Sequence, residues 1–193
     1  MHKRINAKQY QTTALETASY EAINGKSFLY PALGLAGEVG EVIEKIKKIY
    51  RDDSGTINPS SRYALVMELG DVMWFVAALK HEFDGHIQIE QDASCKSFDL
   101  SSLGLTMHIA AGRISEKILV ASSAPNSGPD SFLNAHLAAA AAEINEYLNT
   151  ITTCVHHIAD IIGVPFVDIL NANIQKLVYR KTNGKLSGSG DYR

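Results

Sequence analysis

Four carboxylates stand in two matched pairs along the chain: Glu38 and Glu41 in GEVGEVIEK, and Glu68 and Asp71 in MELGDVMWF. The acids of each pair are three residues apart, which places them on neighbouring positions of one face of a helix. From Ala64 to Leu79 the sequence reads ALVMELGDVMWFVAAL, and Glu68 and Asp71 are its only charged residues. Carboxylates on an otherwise apolar helix are costly to bury, and they require pairing, protonation or a metal. Taken alone, Glu38 and Glu41 read as a solvated helix face, since charged residues are mostly exposed. Glu68 and Asp71 read either as metal ligands or as halves of buried salt bridges to lysine or arginine. If the two segments pack as antiparallel helices, all four acids converge. Hard oxygen ligands in that number suit Mg²⁺ or Mn²⁺.

The elements that must position these acids are helical, because β-branched alternation between turn markers is scarce. A first helix is expected over about Ala7 to Ile23, stopped by Asn24-Gly25. A second opens at Tyr30-Pro31 and runs to about Tyr50, with Leu35, Val39, Val42, Ile43, Ile46 and Ile49 on its apolar face. A third follows the capping segment Asn58-Pro59-Ser60-Ser61 and reaches about Phe83. Further helices are expected over Ser101–Val120, Ser131–Ile162 and Phe166–Lys181, with a loop at Ser122–Asp130 and a break at Gly163-Val164-Pro165.

The fold class predicted is an all-α helical bundle forming a single domain over 1–193. It divides into a metal-binding hairpin at about 29–83, an insertion or degenerate repeat at about 87–162, and a C-terminal helix and basic tail at about 163–193. LGLAGEVGEVIEKI, from Leu33, resembles LGLTMHIAAGRISEKI, from Leu103, and Met67–Leu79 resembles Ala142–Val155. Internal duplication explains this likeness, and so does shared amphipathic spacing. Glu143 and Glu146 then match Glu68 and Asp71. His108 and Ala111, however, stand where Glu38 and Glu41 would be, so one acidic centre per chain is expected, with Glu143 and Glu146 structural or solvent-facing.

The 193 residues are 46% hydrophobic and 20% charged, with formal net charge −3 and pI near 6.1. This balance argues against a general nucleic-acid binder. Two distant cysteines, Cys95 and Cys154, fit a reducing compartment, and no apolar run is long enough to span a bilayer. A cytoplasmic protein, bound to no membrane, is the expectation.

GLAGEVGEVIEKIKK followed by ELGDVMWFVAAL resembles the E-x-x-E…E-x-x-D pattern of MazG-like and dimeric dUTPase-like all-α pyrophosphatases. NIQKLVYR, Asn173 to Arg180, resembles that group's Asn-x-x-Lys-Leu-x-x-Arg ending. The resemblance implies hydrolysis of a nucleoside triphosphate to monophosphate and pyrophosphate, a nucleotide-pool housecleaning activity. Glu38, Glu41, Glu68 and Asp71 would hold Mg²⁺ (with Mn²⁺ as a substitute) and carry catalysis, while Asn173, Lys176 and Arg180 would bind substrate. By analogy it also implies a homo-oligomer, a dimer or larger. The competing readings are a non-catalytic nucleotide-binding regulatory bundle and a narrower dUTPase-type enzyme. A carboxylate-bridged di-iron bundle needs Glu-x-x-His pairs, and none occurs.

Other residues carry weaker signals. Lys181, Lys185 and Arg193, with Gly184, Gly188 and Gly190, form either a phosphate-approaching tail or a solvated one. Trp74 is expected to pack in the core rather than stack on a base. Lys45, Lys47 and Lys48 read as a solvated face, with one lysine within reach of a phosphate. His81, His156 and His157 read as core or solvent histidines without acidic partners at ligand spacing.

Overall fold

The computed structural model describes residues 5–88, 98–122 and 131–184. Six helices form within them: α1 (Ala7–Leu15), α2 (Leu29–Asp52), α3 (Pro59–Glu82), α4 (Leu100–Ser122), α5 (Ser131–Ile162) and α6 (Phe166–Thr182). Cys95, most of the loop at 122–130 and the tail residues Lys185, Gly188, Gly190 and Arg193 lie outside the described residues.

The helix starts follow local chemistry. Asn58 caps α3 by accepting from Ser61 N at 2.9 Å, while Ser61 Oγ accepts from Asn58 N at 3.0 Å, and Pro59 supplies the first helical position. Pro31 sits in the first turn of α2, where a missing N–H leaves no bond unmade. At the end of α5, Gly163 adopts φ 68° and Val164 N bonds back to Ala159 O at 3.0 Å, a Schellman stop.

The first helix is shorter than its sequence predicts, ending at Leu15 rather than near Ile23. The carbonyl of Ala14, freed at the helix end, accepts locally from Thr17 Oγ1 at 2.6 Å and across the core from the Trp74 indole N–H at 3.2 Å. Asn24 and Gly25, both at positive φ, form a tight turn closed by an Ile23–Lys26 bridge.

Packing places α3 at the centre. It touches α1, α2, α5 and α6, while α4 completes a ring α2–α3–α5–α4 by contacting α2 and α5. Leu65, Leu69, Val72, Met73, Val76, Ala77, Ala78 and Leu79 are all fully buried, so nearly every face of α3 is covered. Lys26 Nζ reaches Ser122 O at 3.1 Å, while Gly104 lies against Ile46, so α2 and α4 run antiparallel. Close approach depends on small residues: a Cβ at Gly34 would fall 2.1 Å from the Phe75 ring. Among the described residues, no single helix is long and apolar enough to cross a membrane.

Lys80, at the end of α3, is 2% exposed and tethers α3 to α5. Its ammonium donates to Asn145 O at 3.1 Å and to Asn149 Oδ1 at 2.7 Å, and burial pulls its pKa down to about 8. Below that pH both folded and unfolded chains carry the charge, and the burial cost is constant. Above it the folded chain sheds the proton first, so stability rises toward pH 10.5, the value of a solvated lysine. Urea denaturation of wild type and Lys80→Met should therefore show wild type gaining on the variant as pH rises above about 8. A pH-independent gap between the two proteins would contradict this.

Candidate metal centre

The hairpin of α2 and α3 brings the acidic residues together. Glu38 and Glu41 lie one turn apart on α2, at the margin of the apolar stripe Leu35, Val39 and Val42. Glu68 projects from α3 and is only 7% exposed. Each of Glu38, Glu41 and Glu68 offers a carboxylate oxygen within 4.8 Å of the others. Asp71, one turn further along α3, is not one of that trio and is engaged by α6. Its Oδ1 accepts from Asn173 Nδ2 at 3.0 Å, and its Oδ2 pairs with Lys176 Nζ.

The electrostatics follow from crowding. Burial, with Asp71, Glu41 and Glu68 close by, pushes the Glu38 carboxyl up to about 8, while Lys176 pulls the other way. Two lysines answer the acids of α3. Lys45 Nζ lies 3.0 Å from Glu68 Oε1, and Lys176 pairs with Asp71. The ion pairs thus engage Glu68, one of the acids that could hold a metal, and Asp71 beside them. Lys45 leaves the solvated face expected of it, whereas Lys47 and Lys48 stay exposed and pair with Glu44.

Asn173 is 2% exposed and spends both polar groups locally, its Oδ1 accepting from Tyr10 Oη at 2.8 Å. Tyr10 is fully buried, and burial, with Asp71 second, raises its hydroxyl pKa well above the ordinary range. Gly70 lets α6 come this close, since a Cβ there would lie 3.0 Å from Asn173 Cβ. Arg180 follows Lys176 one turn later on α6, half-buried.

Sequence reasoning missed Tyr10 and the pairing of Lys45. A signal for Lys45 existed: positions 38, 41 and 45 share one helical face. Tyr10 had none, because its partner is 163 residues away. Trp74 packs edge-on to Tyr20 and Phe75 with its N–H engaged, as the apolar helix predicts. Glu143 and Glu146 are solvent-facing, Glu143 paired with Lys117 at 2.6 Å, while His108 is exposed and Ala111 buried. Among the described residues, no second acidic cluster forms there.

A cluster of this kind, with oxygen donors only and one carboxyl whose pKa is raised by burial and by its acidic neighbours, fits a hard divalent cation. Because the folded, metal-free chain holds a proton on Glu38 that the unfolded chain releases above about 4.5, its stability should fall as pH rises from there through about 8. Glu38→Gln should remove that part of the loss, and Mg²⁺ should reverse it in wild type. Thermal melts at pH 5 and 8.5, in EDTA and in Mg²⁺, check both statements. Separately, Gly70→Ala should cost roughly 1–3 kcal/mol by overpacking α3 against α6, read by chemical denaturation.

A protein-family profile for the MazG nucleotide pyrophosphohydrolase domain matches residues 28–96, the span that holds α2, α3 and all four acids. The chain is also similar to the "Gene 37 protein" of Mycobacterium phage L5, 46% identical over 81 residues, covering 39% of this chain and 69% of the phage protein. No solved structure matches it.

Proposed function

Because this chain belongs to the MazG-like family of nucleotide pyrophosphohydrolases, we propose that it hydrolyses nucleoside triphosphates between the α and β phosphates. The products are a nucleoside monophosphate and pyrophosphate, with water supplying the new oxygen on the α-phosphorus. The observation that carries the reading is the convergence of Glu38, Glu41 and Glu68 from two facing helices, with Asp71 and a lysine of α6 beside them.

Glu38, Glu41, Glu68 and Asp71 would hold Mg²⁺, with Mn²⁺ as a substitute. The ion, when bound, supplies charge neutralisation for the phosphate oxygens and lowers the pKa of water. The chain's own residues do the rest. Asn173, anchored by Tyr10, positions Asp71 by its amide hydrogen bond. Lys176 neutralises Asp71 in the ligand-free chain and is the nearest α6 cation to offer to a triphosphate once that carboxylate has another partner. Arg180, one turn away, would extend that cationic edge. Lys45 pairs with Glu68 and orients its carboxylate.

A panel of canonical and modified NTPs with Mg²⁺, assayed for both pyrophosphate and inorganic phosphate, tests the reading. Pyrophosphate and monophosphate in equal amounts are expected. Release of inorganic phosphate alone, or no turnover across the panel with either Mg²⁺ or Mn²⁺, would overturn it. A preference confined to dUTP would narrow the activity to the dUTPase type. Alanine at Glu38, Glu41, Glu68 or Asp71 should lower kcat by at least roughly a hundredfold. Lys176→Ala and Arg180→Ala should act mainly on KM.

A further inference from the structure

The last turns of α5 carry a second group of ligating side chains, chemically unlike the first. His156, His157 and Asp160 each place a ligand atom within 4.8 Å of the others. Helix geometry explains the gathering: at 3.6 residues per turn, Asp160 stands one turn beyond the two imidazoles and between them around the axis. His156 Nδ1 lies 3.5 Å from Asp160 Oδ2. The acidic partner that the sequence reading denied these histidines is therefore present, four residues on from His156. The His156 ring also packs on Phe166, the first residue of α6, with centroids 5.4 Å apart. Among the described residues, the Nε2 atom of His157 is also buried without a hydrogen-bond partner. Buried polar nitrogens are nearly always satisfied, so an orphaned one beside a cluster of ligating groups is consistent with an ion or water there.

We propose that His156, His157 and Asp160 form a binding site for a divalent transition-metal ion of the Zn²⁺ class. Two imidazole nitrogens and one carboxylate oxygen favour Zn²⁺, Co²⁺ or Ni²⁺ over Mg²⁺, which prefers oxygen alone. Three protein ligands leave the remaining position to water or to another small ligand. The Asp160 side chain is 65% exposed, so the ion has a path from solvent. Because His156 rests on Phe166 across the Gly163 turn, a bound ion would brace the corner between α5 and α6, the helix that carries Asn173 and Lys176. The site uses no residue of the acidic centre and stands apart from the hydrolytic reading.

The test uses the full chain in excess Mg²⁺, so that the acidic centre is held by its own cation. Co²⁺ is titrated in and followed by its visible d–d absorption, and Zn²⁺ is then used to displace it. Wild type should bind one Co²⁺ per chain under these conditions, and Zn²⁺ should raise Tm. His156→Gln combined with His157→Gln should weaken binding by more than the roughly 10–100-fold typical of losing an outer-shell partner. Asp160→Asn, at an exposed position that leaves the fold intact, should weaken it by at least about tenfold. Mg²⁺-dependent turnover should be unchanged in all these variants, so a failure here differs from a failure of the pyrophosphohydrolase reading. Co²⁺ spectra and Zn²⁺ affinity that survive in both histidine and aspartate variants would overturn the proposal. So would their loss in Glu41→Gln alone.

Discussion

Mutual repulsion among carboxylates is the constraint around which the structure is arranged. Glu38, Glu41 and Glu68 crowd within 4.8 Å, and Asp71 adds the largest outside charge felt by Glu38. In a low-dielectric setting such a group cannot be fully ionised without compensation. The chain compensates in two ways. Glu38 keeps its proton to about pH 8, and lysines from two directions, Lys45 on α2 and Lys176 on α6, offset Glu68 and Asp71. A divalent cation would relieve the same repulsion more completely, which links the ligand-free geometry to the proposed chemistry.

Holding the acids in place requires a rigid backing, and α3 supplies it. With nearly all of its faces covered by α1, α2, α5 and α6, this helix has little freedom to rotate or slide. Gly34 and Gly70 set how near α2 and α6 come to it, since a methyl group at either position would meet Phe75 or Asn173. The chain Tyr10–Asn173–Asp71 then carries the order of the buried core into the site, with α1 and α6 meeting over α3. The hairpin α4–α5 closes the bundle from the other side but contributes no acids to the centre. In the alignment of the two segments, His108 and Ala111 occupy the positions of Glu38 and Glu41, so this hairpin lacks the matching acids.

The sequence by itself determined the helices whose ends are written in local chemistry. Asn58-Pro59 starts α3 and Gly163 stops α5, because caps and positive-φ residues act within a few positions. It also determined that Glu68 and Asp71, alone on an apolar helix, require a partner, since the cost of burying charge does not depend on the fold. Tertiary structure decided which partners these are. Lys45 shares a helical face with Glu38 and Glu41, but its acid stands on the next helix, and Lys176 is separated from Asp71 by α4 and α5, so no local pattern names either pairing. The contact that meets the end of α1 belongs to the same class, because the indole bonded to the Ala14 carbonyl comes from α3, 60 residues away. Asn173 shows the division most plainly. Its type and spacing in the last helix were readable, but only the approach of α6 over Gly70 turned its amide onto Asp71, because hydrogen bonds across helices depend on interhelical distance, which a linear pattern does not encode.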